Sequence, residues 1–299
     1  MDPAEVFTIL RGAMLAAGAI CFGTTATFLL LKPAQNVPAL EMRLRAVLRV
    51  AAVILGTSAI LALPVQTANV GESWQDALSP ATVELFATAT QVGRAALVRM
   101  VLALLTAAIL ISGRASHRTL GWASLMAGLF LASFAASGHA AMHESVTGTL
   151  HQVNHVLHVL SGSFWIGALV ALLTAAYILR RRPLQQEADA AELMLWRFSP
   201  AGVTAVCIVG LTGAINTWLI LGKVPTDLTA TYNCVLLAKI AAVLTMLVCA
   251  LLNRFYCLPR VSRTSGANGL AASITIETAL GGIVVALVAL LGTLEPMAM

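Results

Sequence analysis

Residues 137–182 read SGHAAMHESVTGTLHQVNHVLHVLSGSFWIGALVALLTAAYILRRR. From Ser145 to Leu179 no residue carries a formal charge, and the run closes on Arg180, Arg181 and Arg182. A bilayer span needs roughly 20 apolar residues, and a terminal Lys/Arg cluster marks its cytoplasmic end. Five of the chain's six histidines gather at the head of the segment: His139, His143, His151, His155 and His158. The segment therefore predicts a long membrane helix with imidazoles at its non-cytoplasmic mouth.

The same pattern repeats outward from it. Uncharged runs cover 12–31, 50–71, 119–138 and 198–222, and three more runs carry interior charge. These are about 82–112 with Arg94 and Arg99, 229–256 with Lys239, and 271–294 with Glu277. The expected fold is an all-α, polytopic membrane bundle of eight transmembrane helices, one integral membrane domain over residues 1–299. No strand-like alternation supports a β-barrel.

Composition points the same way. Of 299 residues, 59% are hydrophobic and 10% charged, against about 25% charged in soluble proteins, and the mean hydropathy is +0.88. So little charge cannot cover a soluble protein of this size, which excludes a soluble enzyme, a disordered chain and a disulfide-stapled secreted domain. The net charge of +5 sits in short loops, so its partner is the lipid headgroup surface and not nucleic acid.

Thirteen of the eighteen basic residues flank odd-numbered connections: four at 32–49, Arg114 and Arg118, four at 180–197, and Arg254, Arg260 and Arg263. The even-numbered connections carry Glu72, Asp76, Glu84, Glu144 and Asp227. Odd connections are expected in the cytoplasm and both termini in the periplasm. MDPAEVF has no basic n-region or cleavage site, so the first run reads as a retained helix. The five cysteines lie in the spans without CxxC spacing and form no disulfide framework.

At 100° per residue, His151, His155 and His158 fall within about 60° of one another, with Gly162 and Trp165 continuing the stripe. His139 and His143 share the same i, i+4 relation. Imidazoles three or four residues apart can address one ion. Imidazole suits copper, zinc, iron and nickel, whereas thioether and thiolate select Cu(I). Met142, Met297 and Met299 are expected on the same side, with Met14 and Cys234 in the outer halves of their helices, which favours copper, and Cu(I) over Cu(II). Met100, Met126 and Met246 read as packing residues, and His117 as a loop residue.

Ionisable residues inside the bilayer are costly and functional by default. Lys239 is expected roughly 15 Å below the outer end of its helix, and Arg99 in the outer half of the third span; both should line an interior or wet cavity. Arg94 is close enough to the interface to snorkel. Glu277 is within reach of Arg254 as an ion pair, and Asn154, Asn216 and Asn253 are expected to bond between helices. Two interior cations oppose a bare Cu(I) ion and suit carboxylates, water or an anionic ligand.

Taken in order, SGHA (137–140), His155, His158, SGSFWIGAL (161–169), RFSPAG (197–202), LTGAINTWLILG (211–222), LLAK (236–239), NRFYCLPR (253–260), ETALGG (277–282) and GTLEP (292–296) resemble the copper resistance protein D family of bacterial inner-membrane proteins. The likeness runs from about residue 80 to the end. It implies eight spans, copper handling at the periplasmic side, and a role in copper uptake, homeostasis or resistance. On this likeness His139, His155, His158, Trp165, Lys239, Asn253 and Glu277 fall at family positions.

The expected activity is copper capture from the periplasm and movement toward the cytoplasm, with no enzymatic step. No GxxxxGK[ST] motif is present, so ATP does not drive it. A CopC-like periplasmic copper-binding protein is the expected partner. One alternative is a b-type heme protein, with His139 and His155 or His158 as axial pair and interior cations meeting propionates or a quinone. Another is a copper-binding assembly or sensor protein without transport.

Overall fold

The computed structural model of the chain describes residues 1–31, 38–113, 116–136, 146–181, 185–261 and 264–294. The described helices are α1 (Pro3–Leu31), α2 (Pro38–Gly71), α3 (Trp74–Leu78), α4 (Pro80–Ala89) and α5 (Gln91–Ser112). Then come α6 (His117–Ala132), α7 (Val146–Arg181), α8 (Gln185–Leu221), α9 (Thr231–Leu252) and α10 (Thr264–Leu291). No strand occurs among the described residues. All but α3 and α4 are long and apolar enough to cross a membrane, which gives the eight spans expected.

Several boundaries differ from the sequence reading, α2 starting at Pro38 and α8 at Gln185, each well before its uncharged run. The run 82–112 is two helices, because Thr90 interrupts it with extended backbone, and the first of them starts earlier, behind an extended Ser79. The Ser79 hydroxyl accepts from the Thr82 amide ahead of Pro80, and the Thr90 hydroxyl accepts from the Gly93 amide at 2.8 Å. Each is an N-cap that satisfies an orphan donor of the helix it starts. Arg94, placed just past the break, donates to the Thr88 and Ala89 carbonyls at the end of α4. The start of α1 differs as well. It begins at Pro3, not near Gly12, so Arg11 lies in its third turn inside the bundle.

Helix α1 is the centre of the assembly, packing against α2, α6, α7 and α10. Its closest crossing is with α7. A Cβ on Gly23 would sit 2.7 Å from the Gly167 Cα, and one on Gly167 would collide with the Ala19 carbonyl. The Thr24 hydroxyl donates across the crossing to the Gly167 carbonyl at 2.9 Å. Lipid tails are as apolar as leucine, so membrane helices gain association energy from such close backbone approach and from interhelical hydrogen bonds.

Helix α7 is held to α8 by Asn154, whose amide donates to Asn216 Oδ1 at 2.9 Å and to the Thr212 carbonyl at 3.0 Å. This is the interhelical role expected of both asparagines. Helix α8 is closed just past its end by Gly222, whose φ of 63° favours glycine and whose amide donates to the Trp218 carbonyl. In the following loop, the Thr229 hydroxyl and amide both donate to Asp227 and hold that exposed carboxyl below its usual range. Helix α9 passes into a π turn over Asn253–Cys257 and a short 3-10 turn containing Pro259.

A candidate metal-binding cavity in the bundle

The ends at which α1, α7 and α9 begin and α8 and α10 finish surround a cavity of about 200 Å³. Its walls are mostly aliphatic, supplied among others by Leu15, Val159, Val243 and Val284. Its polar groups are few and come from different helices: Arg11 of α1, His155, His158 and Ser163 of α7, Asn216 and Thr217 of α8, and Tyr232 and Lys239 of α9. A concave apolar site with a handful of convergent polar groups is the usual form of a ligand pocket.

The stripe of α7 explains the placement. His155, His158, Gly162 and Trp165 all line the cavity, as one helix face at i, i+3 and i+4 spacing must. His151, one turn nearer the helix start, is fully buried and is not part of the lining. His139, His143, Met142, Met297 and Met299 lie outside the described residues. Among the described residues, no three His, Cys, Asp or Glu side chains converge as a metal-holding group.

His158 is tied to the neighbouring helix. Its Nδ1 lies 3.0 Å from the Thr212 hydroxyl oxygen. That hydroxyl has one proton, and it is directed at the Ile208 carbonyl at 2.5 Å. With its proton so directed, the threonine oxygen can accept from an imidazole that carries its proton on Nδ1 and a lone pair on Nε2. Such an outer partner, which fixes tautomer and ring orientation, is what metal-ligating histidines have. A Cβ on Gly213 would come within 3.2 Å of the His158 Cε1, so only a small residue leaves the ring its place.

Below the imidazoles, Met246 and Val284 lie among the deepest lining residues of α9 and α10. Met246, read from sequence as packing, brings a thioether to the cavity. Two imidazoles and a thioether are a donor set suited to a soft cation. Met14 is buried in the main core and Cys234 is exposed, with its thiol donating to the Leu228 carbonyl; neither lines the cavity.

The interior cations occupy two places. Lys239 lines the cavity itself, as expected. Arg99 is buried behind it, with its guanidinium 4.2 Å from the centre of the Phe134 ring. Arg11 lines the cavity and reaches the same ring at 5.3 Å. The sequence reading did not single out Arg11, because a charged residue was allowed to end the first apolar run. The signal available was its place eight residues after a helix-starting proline, with only Glu5 as a further charge between.

The other charged pair expected does not form. Glu277 is buried, and it accepts a hydrogen bond from the Asn253 amide, not an ion pair from Arg254. Arg254 turns to the Ser199 hydroxyl and lies 5.6 Å from the Phe255 ring centre. The π turn begins at Asn253, and Arg254 is the next residue in it. Asn253 and Glu277 each lie seven residues, or about 10 Å along the helix axis, beyond Met246 and Val284.

Comparison with known proteins adds a lineage to this geometry. A family model described as copper resistance protein D-like, N-terminal domain, matches residues 1–149, and one described as copper resistance protein D matches residues 192–291. The early helices thus carry a likeness of their own, which the residue motifs showed only from about 80 onward. The chain is 34% identical over 242 residues to inner membrane protein YebZ of Escherichia coli (strain K12), covering 80% of each. It is 33% identical over 235 residues to copper resistance protein D of Pseudomonas syringae pv. tomato, covering 75% of this chain and 74% of that protein. It is also 28% identical over 249 residues to copper transport protein CutJ of Bacillus subtilis (strain 168), covering 81% of this chain and 44% of that protein. No solved structure matches the chain. His155 and His158 lie between the two matched segments.

Proposed function

This chain belongs to the copper resistance protein D family and is a multi-pass protein of the inner membrane, and from that premise we propose that it binds copper at His155 and His158 and passes the ion toward the cytoplasm. The observation that supports the reading is the His158–Thr212 contact, in which an imidazole protonated on Nδ1 keeps its Nε2 lone pair for a ligand in the cavity that the ring lines. Cu(I) accepts low coordination numbers, so two imidazoles three residues apart, with Met246 below, suffice for a transient cargo site.

The charge bias of the loops supports a periplasmic mouth, because the basic connections all fall at the opposite ends of the spans. A copper-loaded, CopC-like periplasmic protein would deliver at that mouth. Inward, the ion leaves the imidazoles for the thioether of Met246 and then for the level of Asn253 and Glu277. The about 10 Å between the last two stations calls for a change of helix packing in each transfer. No bond in a substrate is made or broken in this reading, and no nucleotide is consumed.

The test is Cu(I) uptake by proteoliposomes containing the full chain, compared with His155→Ala and His158→Ala. Uptake that falls to the empty-liposome rate in the variants supports the reading. Wild-type protein that binds copper and moves none would leave a binding protein without transport.

A further inference from the structure

Arg11 and Lys239 line one cavity, and no carboxylate lines it among the described residues. Arg11 has a buried Nε with no hydrogen-bond partner there, and its guanidinium lies 5.3 Å from the centre of the Phe134 ring. Each cation lies eight residues from the start of its helix (Pro3 or Thr231), and His155 lies nine from Val146. At 1.5 Å per residue the three groups are all about 12–14 Å from where their helices begin. Two cations in one apolar cavity repel any bare metal ion, and no lining residue among those described carries the opposite charge.

The shape adds the second half of the argument. About 200 Å³ far exceeds the ~10–15 Å³ that one water requires, and the walls beyond the cations are aliphatic: Leu15, Val243, Val284 and Val288. A halide would need neither that room nor that surface. We propose that this cavity binds a single-chain organic anion, with its carboxylate or phosphate headgroup held between Arg11 and Lys239 and its chain against the aliphatic wall. The headgroup supplies the negative charge that a copper ion at the neighbouring imidazoles needs, but the binding itself does not rest on copper.

The experiment uses the copper-free full chain in a non-ionic detergent and titrates it with cis-parinaric acid, a fluorescent long-chain carboxylate. One equivalent is expected to bind. Oleate should displace the probe if free carboxylates are the source, dodecyl phosphate if the headgroup is a phosphate, and dodecanol should displace neither. Arg11→Gln and Lys239→Met should each weaken binding at least tenfold, while Arg11→Lys and Lys239→Arg keep it, with thermal unfolding showing that each variant is folded. Displacement by dodecanol as effective as by oleate, or unchanged affinity in folded Arg11→Gln and Lys239→Met, overturns the proposal. So does purified protein in which a tetrapyrrole, seen by its Soret band, fills the cavity. So does wild type that takes no probe until Glu144 or Glu295 is changed to Gln, because the chain's own carboxylate would then hold the cations.

Discussion

His158 and Thr212 meet across the α7–α8 interface with the imidazole Nδ1 3.0 Å from a hydroxyl oxygen whose own proton is committed to the Ile208 carbonyl. The contact orients the ring and suits an imidazole protonated on Nδ1. Thr212→Val removes the acceptor and keeps the side-chain volume. Cu(I) affinity should then fall about 10–100-fold, measured by competition with a chromophoric chelator, while Thr212→Ser stays near wild type. Equal affinities for the three proteins would show that the hydroxyl plays no part in holding copper.

Helices α1 and α7 touch backbone to backbone at Gly23 and Gly167. Gly167→Val should force them apart, break the Thr24 hydrogen bond and destabilise the protein by roughly 1–3 kcal/mol or more, as over-packing does. Unfolding in mild detergent measures this. Gly282→Ala is the control, because a Cβ there meets nothing within 4 Å. Similar melting of both variants would mean that the crossing is not the constraint described.

The Asn253–Glu277 pair separates a polar role from a charged one. Glu277→Gln keeps an acceptor for the asparagine amide and should unfold at nearly the wild-type temperature. Glu277→Leu strands that amide and should cost about 1–3 kcal/mol. In proteoliposomes, Glu277→Gln is expected to lower copper flux if the carboxylate is a station on the route. Undiminished flux in that variant would remove Glu277 from the route.

From the charge bias, the loop that holds Asp227 is expected in the periplasm and the α5–α6 connection in the cytoplasm. A cysteine at Thr226, in a background lacking the five native cysteines, should react with a membrane-impermeant maleimide in intact spheroplasts. One at Ser116 should react only after lysis. The reverse pattern would invert the direction of transport inferred above.

Much of the fold can be read in the residues, because a bilayer turns composition into geometry: a long uncharged run has few alternatives to a spanning helix. Where the reading slipped, a single residue had outweighed its neighbours. Arg11 was taken to end a run, yet the helix continues past it and the guanidinium is absorbed by Phe134 and a cavity. Thr90 looks like any small residue in an apolar stretch, and its capping role depends on the backbone turning extended just there. Helix periodicity grouped His151 with His155 and His158, but only the packing of α8 and α9 shows which of the three face a cavity. The Arg254–Glu277 pairing failed for a similar reason, since the partners of a side chain are set by what packs beside it. Asn253 stood closer to Glu277 than any cation.

The central claim is that the imidazoles of α7 bind copper, and metal analysis of purified protein tests it most directly. The full chain, loaded with Cu(I) and freed of excess, should retain about one copper per chain and show no Soret band. The His155→Ala/His158→Ala double variant, equally folded, should retain almost none. Copper content unchanged in the double variant would contradict the account.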